Sequence, residues 1–152
     1  MADAHADMRA LMRAITHLFV HCTATHPMAT VEAIQRYWRE VMGWKSPGYH
    51  VIIKADGSRI RLSPDEKPTN GVAGHNSTSL HVCYIGGVIP GREAGKPIPH
   101  DTRTPAQKAA LLAQLKEWRE AYPDAEILGH RDAPNVAKAC PSFDARSEYS
   151  TL

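Results

Sequence analysis

HLFVHC, residues 17–22, is short, β-preferring and followed by the loop-like TAT of residues 23–25. As a strand it sets Phe19 and His21 on one face and Leu18, Val20 and Cys22 on the other. His21 then stands at the strand's end, where a side chain can point into a cleft.

Working outward, Thr25-His26-Pro27 breaks the chain, and Thr30 can cap a helix over residues 31–42 with Val31, Ile34, Trp38 and Val41 as its apolar stripe. Gly43 ends that helix. Ser46-Pro47-Gly48 turns into a strand at 49–53, Ala55-Asp56-Gly57-Ser58 reads as a hairpin turn, and 59–62 returns. Residues 63–79 read as a long loop and 80–85 as a central strand closed by Gly86-Gly87. A second loop over 90–102 leads to a helix capped by Thr104 and begun by Pro105, with Leu111, Leu112, Leu115 and Trp118 on its apolar side. After Tyr122-Pro123 come a short strand at 126–128 and a last helix from about Asp144. Upstream of β-like 17–22, Met8, Leu11, Met12 and Ile15 have helix-like spacing, so residues 1–16 read as a short helix or an arm. With no repeats and no internal linker, the chain reads as one α/β domain built on a mixed sheet.

At 152 residues the chain is one domain in length, and a domain of this size buries roughly 68–70% of its unfolded surface without needing a disulfide or a metal. Its 43% hydrophobic and 22% charged residues are ordinary for a globular protein. A net charge of +2 from scattered basic residues gives no nucleic-acid footprint. Three cysteines without short-range pairing argue against a secreted disulfide scaffold. The N-terminus lacks the pattern of a signal peptide, and no segment approaches the roughly 20 apolar residues of a membrane span. Synthesis in the cytoplasm is therefore expected.

GHRDAPNVAKACPSFD, residues 129–144, brings His130, Lys138 and Cys140 into one proline-interrupted stretch. Hydrolytic zinc sites take three protein ligands and keep one position open, whereas structural sites are closed by four. His130 and Cys140 supply two, and His21 is the best third. From spacing alone an alternative stands beside this, in which His130 caps a turn and Cys140 is a small buried hydrophobe. A structural zinc would need a fourth ligand, and His26 and Cys22 sit awkwardly for it.

HCTAT at 21–25, GYHVIIKADG at 48–57, GHNSTSLHVCYIGG at 74–87, TPAQKAALLAQL at 104–115 and the 129–144 stretch together resemble the zinc-dependent N-acetylmuramoyl-L-alanine amidases of the type-2 group. That group includes phage endolysins and the peptidoglycan recognition proteins, and the similarity runs from residue 17 to about 148. The resemblance implies a catalytic domain over 17–152, with a central mixed sheet, flanking helices and a zinc cleft on one face. It implies one zinc per chain bound by His21, His130 and Cys140, with Tyr49 and Lys138 flanking the metal and assisting catalysis. There are departures. Many relatives carry a histidine shortly before the GHN segment, where this chain reads Asn70-Gly71-Val72-Ala73. His81 stands where relatives often have glycine and reads as structural, as does His50. His75 and Asn76 are candidates to line the substrate groove, with turn stabilisation as the alternative. Cys22 and Cys83 read as core cysteines facing away from the cleft, and Trp38 and Trp118 as core. Arg131 and Asp132 read as pairing with each other or fixing the loop that carries His130, with a contact from Asp132 to a ligand histidine as a further option.

The bond implied is the amide joining the lactyl group of N-acetylmuramic acid to L-alanine in peptidoglycan. Zinc polarises a carbonyl and brings the pKa of bound water toward ~7. The Lys138 ammonium suits a developing oxyanion, and the Tyr49 phenol can orient the water or share in proton transfer. No glutamate follows a zinc histidine as in HExxH, so the base stays open, with Tyr49 favoured. The expected protein is a monomeric endolysin acting on the cell wall after release by a holin-like membrane-permeabilising partner. A cytosolic muropeptide-recycling amidase is the near alternative. A non-catalytic peptidoglycan-binding module is a more distant one, associated in the family with loss of the zinc cysteine that is present here as Cys140.

Overall fold

A computed structural model describes residues 13–152. The expected N-terminal helix or arm falls mostly on residues 1–12, outside the described residues. Arg13–Thr16 have no regular secondary structure and run directly into the first strand.

The elements follow in the order β1 (His17–Cys22), α1 (Val31–Glu40), β2 (Val51–Ile53), β3 (Arg59–Arg61), β4 (Ser79–Tyr84), β5 (Val88–Glu93), β6 (Lys96–Pro99), α2 (Pro105–Ala121), β7 (Glu126–Gly129) and α3 (Ala145–Glu148). Five strands form one sheet in the order β3-β2-β4-β1-β7. β1 runs parallel to both β4 and β7, β2 is parallel to β4, and β3 pairs antiparallel with β2, so the sheet is mixed as expected. β1 and β4, each bounded by strands on both sides, are buried along nearly their whole length.

Each face of the sheet has its own cover. Leu18, Val20, Cys22, Val51, Ile53, Leu80, Val82 and Tyr84 pack against Leu111, Leu115 and Trp118 of α2, joined by Phe143, Ala145 and Tyr149 from the C-terminal segment. Each fully buried leucine here contributes roughly 1.5–3 kcal/mol. On the opposite face Ile34 and Trp38 of α1 cover Ile52, Cys83 and Ile85, while Phe19 meets Val72, Leu128 and Ala133. α2 starts as the sequence indicates: Thr104 and Gln107 form a capping box with Pro105 at the first turn. The Gln107 amide also donates to the carbonyls of Ile53 and Ile85, tying the helix to the ends of β2 and β4.

Several boundaries differ from the sequence reading. The first helix stops at Glu40, so Val41 becomes its cap and is 66% exposed instead of completing the apolar stripe. Leu112 is also on the exposed side of its helix. The expected last helix is a single turn, capped by the Asp144 side chain. The loop expected at 90–102 contains the β5–β6 hairpin, which is almost entirely solvent-facing. The 63–79 loop is held from outside itself. Arg13 donates through Nη1 to the carbonyls of Asp65 and Lys67, and through Nη2 to those of Asn76 and Ser79. One guanidinium thereby satisfies carbonyls at both ends of the loop.

Candidate metal centre

His21 closes β1 with a fully buried imidazole. Its Nδ1 lies 3.8 Å from Cys140 Sγ, and its ring centroid is 4.8 Å from that of His130. One donor atom from each of His21, His130 and Cys140 lies within 4.8 Å of the other two, and no further histidine, cysteine or carboxylate joins the group among the described residues. The three residues expected from sequence to ligate a metal are therefore brought together.

The sheet register explains the meeting. β7 pairs with β1 so that Val20 faces Gly129, which starts the turn His130–Asp132 beside His21. Asp132 Oδ2 accepts from the Gly129 N–H at 2.9 Å, so Asp132 fixes the His130 turn. No ion pair between Arg131 and Asp132 is present among the described residues; instead the Arg131 N–H donates to the Cys140 carbonyl at 2.8 Å, linking the two arms of the loop. Gly129 must be small, because a Cβ there would come within 2.7 Å of Pro141 Cδ. Cys140 Sγ accepts from the Cys22 N–H at 3.3 Å, the Tyr84 hydroxyl donates to the Pro141 carbonyl at 2.6 Å, and the Ser142 hydroxyl donates to Gly87. The loop's position is thus dictated by the strand ends.

The donor set suits a borderline-soft divalent cation. Tetrahedral zinc with bonds of about 2.0–2.3 Å to nitrogen and sulfur holds its donors about 3.3–3.6 Å apart, so His21 Nδ1 and Cys140 Sγ at 3.8 Å stand near ligand spacing, while the wider separations, up to 4.8 Å, would close by about 1 Å on binding. Burial holds His21 well below its ordinary pKa, helped by His81, His130 and Lys138, and it lowers His130 to about 4. Both imidazoles are therefore neutral at pH 7 with a lone pair available. The Cys140 thiol is pushed well above its ordinary value by its hydrogen bond to Cys22 and by burial. A bound cation is what would convert such a thiol to thiolate.

Tyr49 and Lys138 border this cluster. The half-buried Tyr49 ring is 4.8 Å from the His21 ring and packs edge-on to Trp38 at 5.4 Å. Burial raises its phenol well above the ordinary value, with the Cys83 and Cys140 thiols adding to the shift. A phenol so placed stays protonated and is better suited to donate a hydrogen bond than to accept a proton. Lys138 is exposed on the same loop as His130 and Cys140, and its charge depresses both histidines.

His75 and Asn76 are not gathered with these groups. The His75 ring stands 6.2 Å from Phe19 and 6.4 Å from His17, toward the opposite end of β1. Asn76 Oδ1 accepts from the Val72 N–H at 2.8 Å and shapes the loop. One cysteine reading needs correction. Cys83 pairs with His21 in the parallel register and shares its face, between Tyr49 and α1, instead of facing away. Cys22 does face the other way, yet its backbone N–H reaches Cys140 Sγ. His50 is structural as expected: its Nε2 contacts the Lys67 carbonyl at 2.7 Å and its Nδ1 accepts from the His81 N–H. His81, read as structural, has its Nδ1 2.9 Å from His21 Nε2. The signal for that contact is the β1–β4 register, in which Phe19 faces His81.

Comparison with known proteins agrees with this geometry. The family model described as N-acetylmuramoyl-L-alanine amidase matches residues 11–143. The endolysin of Enterobacteria phage K11 is 39% identical over 137 residues, covering 90% of this chain and 86% of that protein. The endolysin of Escherichia phage T7 is 37% identical over 132 residues, covering 85% and 82%. Among solved structures, the amidase LysC from Clostridium intestinale superposes with a TM-score of 0.73 at 20% identity, over 91% of this chain and 83% of that one. Drosophila PGRP-LB does so with a TM-score of 0.69 at 16% identity, over 92% and 82%. At such identities the structural likeness establishes the fold, whereas the sequence matches span most of the chain. The chain belongs to the N-acetylmuramoyl-L-alanine amidase family.

Proposed function

We propose that this amidase cuts the amide between the lactyl group of N-acetylmuramic acid and L-alanine in peptidoglycan with one zinc ion held by His21, His130 and Cys140. The observation that carries the metal assignment is the meeting of three neutral or ionisable donors within 4.8 Å, with no fourth ligand among the described residues. Three protein ligands are what a hydrolytic site requires. When bound, zinc supplies Lewis-acid polarisation of the carbonyl and a water of lowered pKa.

The chain's own residues do the rest. The protonated Tyr49 hydroxyl donates a hydrogen bond at the reacting centre and orients the groups there. The Lys138 ammonium, unburdened by burial, faces the negative charge that develops on the amide oxygen, a role worth ~3–4 kcal/mol in comparable oxyanion sites. His75, half-buried beside Phe19, extends the substrate-contacting surface, and Asn76 holds the loop that presents it. In this reading residues 17–152 are the catalytic unit. The protein works as a monomeric phage-type endolysin, made in the cytoplasm and delivered to the wall with the help of a holin-like partner. Among the described residues, no helix is long and apolar enough to cross a membrane.

Digestion of purified peptidoglycan by the zinc-loaded protein tests this directly, with free α-amino groups and reducing sugar ends assayed together. New L-alanine amino termini without reducing ends are expected, lost on chelation and in Cys140→Ser. Reducing ends would make the protein a glycosidase. Retention on the wall with no new ends would make it a binding module, and the roles of Tyr49 and Lys138 would fall.

A further inference from the structure

His81 is fully buried inside the sheet, and its ring is fixed from several sides. It stacks on Phe19 at 5.7 Å with an interplanar angle of 11°, and on His50 at 5.9 Å and 9°. Its backbone N–H donates to His50 Nδ1. Gly71 closes over it: a Cβ on Gly71 would collide with the ring at Nδ1, Cγ and Cε1. The backbone of Gly71 lies outside the left-handed region, so glycine is needed there for space and not for conformation. Of the two ring nitrogens, Nδ1 meets His21 Nε2 at 2.9 Å, whereas the buried Nε2 has no partner among the described residues. A core chosen for stability alone has little use for such an imidazole.

We propose that His81 is the positioning residue of the metal centre: its Nδ1 accepts the His21 Nε2–H and thereby fixes the His21 tautomer and ring so that Nδ1 faces Cys140 and the metal. The inference rests on the reading of His21 as a zinc ligand. Its logic is proton accounting. His21 Nδ1 points at Cys140 Sγ, 3.8 Å away, so it must keep its lone pair for a cation. The ring proton then sits on Nε2, and the atom waiting for it is His81 Nδ1. His81 consequently carries its own proton on Nε2, the atom left unpartnered. Ligand histidines generally need an acceptor on the second nitrogen. Here another imidazole supplies it, in a slot that Gly71 keeps open.

The test measures zinc affinity by competition with a chromophoric chelator, and the melting temperature of each metal-free protein, for His81→Leu, His81→Asn, Gly71→Ala and Cys140→Ser. His81→Leu keeps bulk but removes the acceptor, and it is expected to weaken zinc binding about 10–100-fold. Its metal-free melting temperature should stay within a few degrees of wild type, because the unpartnered Nε2–H of His81 has gone while the buried His21 Nε2–H loses its acceptor. His81→Asn keeps an acceptor oxygen near the Nδ1 position and should restore most of the affinity. Gly71→Ala removes no polar group but pushes the ring off His21, and should weaken zinc as well. Zinc affinity of His81→Leu within about threefold of wild type, while Cys140→Ser loses the metal, would overturn the inference. So would an affinity loss that merely tracks a fall in melting temperature, or Asn as weak as Leu. If His81→Leu does not fold, unchanged affinity in Gly71→Ala overturns it. Unchanged zinc binding in Cys140→Ser would instead sink the zinc reading itself.

Discussion

His21 and Cys22 are neighbours on β1, and they face two different materials. On the Cys22 side the sheet meets α2 through Leu18, Val20, Val82, Leu111 and Leu115, an apolar layer whose polar insertions are Gln107 and Tyr84, bonded to backbone carbonyls, and Gln114, whose Oε1 accepts from Arg59 while its Nε2 has no partner among the described residues. On the His21 side two fully buried imidazoles, His21 and His81, lie among Phe19, Tyr49 and His130, and a third, His50, stacks on His81 while its ring edge meets Trp118 of α2. Burial opposes protonation of all three. The first face supplies free energy by removing apolar area from water. The second gives some of it up, since it desolvates imidazoles and leaves one ring nitrogen without a partner. The difference teaches where to look for chemistry: on the face whose composition stability does not explain.

Cys140→Ser breaks the comparison most severely if the comparison is wrong. It removes the sulfur donor from the histidine face, so kcat/KM for release of amino groups should drop at least about 10³-fold. The metal-free protein should melt within a few degrees of wild type. Activity within about tenfold of wild type would mean that this face is not where the bond is cut. Leu115→Ala is the counterpart on the apolar face. It should cost about 2–5 kcal/mol in urea unfolding, with the kcat/KM of the folded enzyme nearly unchanged. Loss of activity at full stability would erase the division of labour.

Acid sharpens the contrast without any substitution. The buried imidazole of His50 is lowered from 6.5 to about 4, as is that of His130, and His21 and His81 lie well below 6.5. Above pH 6.5 both folded and unfolded forms of these groups are neutral, and stability does not depend on them. As pH falls from 6.5 toward 4 the unfolded chain takes up protons that the folded chain refuses, so stability declines through that window. His50 alone accounts for roughly 3 kcal/mol at most. The urea midpoint of the metal-free protein should therefore fall steadily between pH 7 and 4.5. A flat profile would mean that the imidazoles are not held neutral.

What was legible in the sequence follows the same division. β1 could be read because Phe19 and Val20 centre a short, mostly apolar run between clear boundaries, and α2 because Thr104, Pro105 and Gln107 spell its start. The three proposed ligands were legible through motif stretches as well as spacing. The β5–β6 hairpin was not, since its residues are exposed and its turn is Ala94-Gly95, with φ of 52° and 77°, where Asn-Gly would have announced it. Cys83 was set on the wrong side and the contact of His81 was missed for one shared reason. Both depend on the parallel register of β1 with β4, across 60 residues for His21 and His81, and no local pattern encodes register. Arg13, which clamps a loop more than 50 residues away, is invisible for the same cause.

The smallest effect separates the faces by their helix caps. Thr30 caps α1 on the histidine face with one bond to the Ala33 N–H, at an exposed site. Thr104 caps α2 on the apolar face by accepting from the Gln107 N–H, and its hydroxyl also donates to the Ala55 carbonyl beyond β2. Its own N–H is bonded by Gln107 Oε1, whose amide nitrogen reaches Ile53 and Ile85. Removing the Thr30 hydroxyl lets water satisfy the freed donor, so Thr30→Ala should cost about 0.5–1 kcal/mol. Removing the Thr104 hydroxyl frees a carbonyl as well as a donor and loosens the glutamine that ties helix to sheet. Thr104→Ala should therefore cost about 1–2 kcal/mol and exceed Thr30→Ala in the same urea titration. Equal costs would mean that the Gln107 bonds to the strand ends survive without the cap, and that the apolar face is held by its side chains alone.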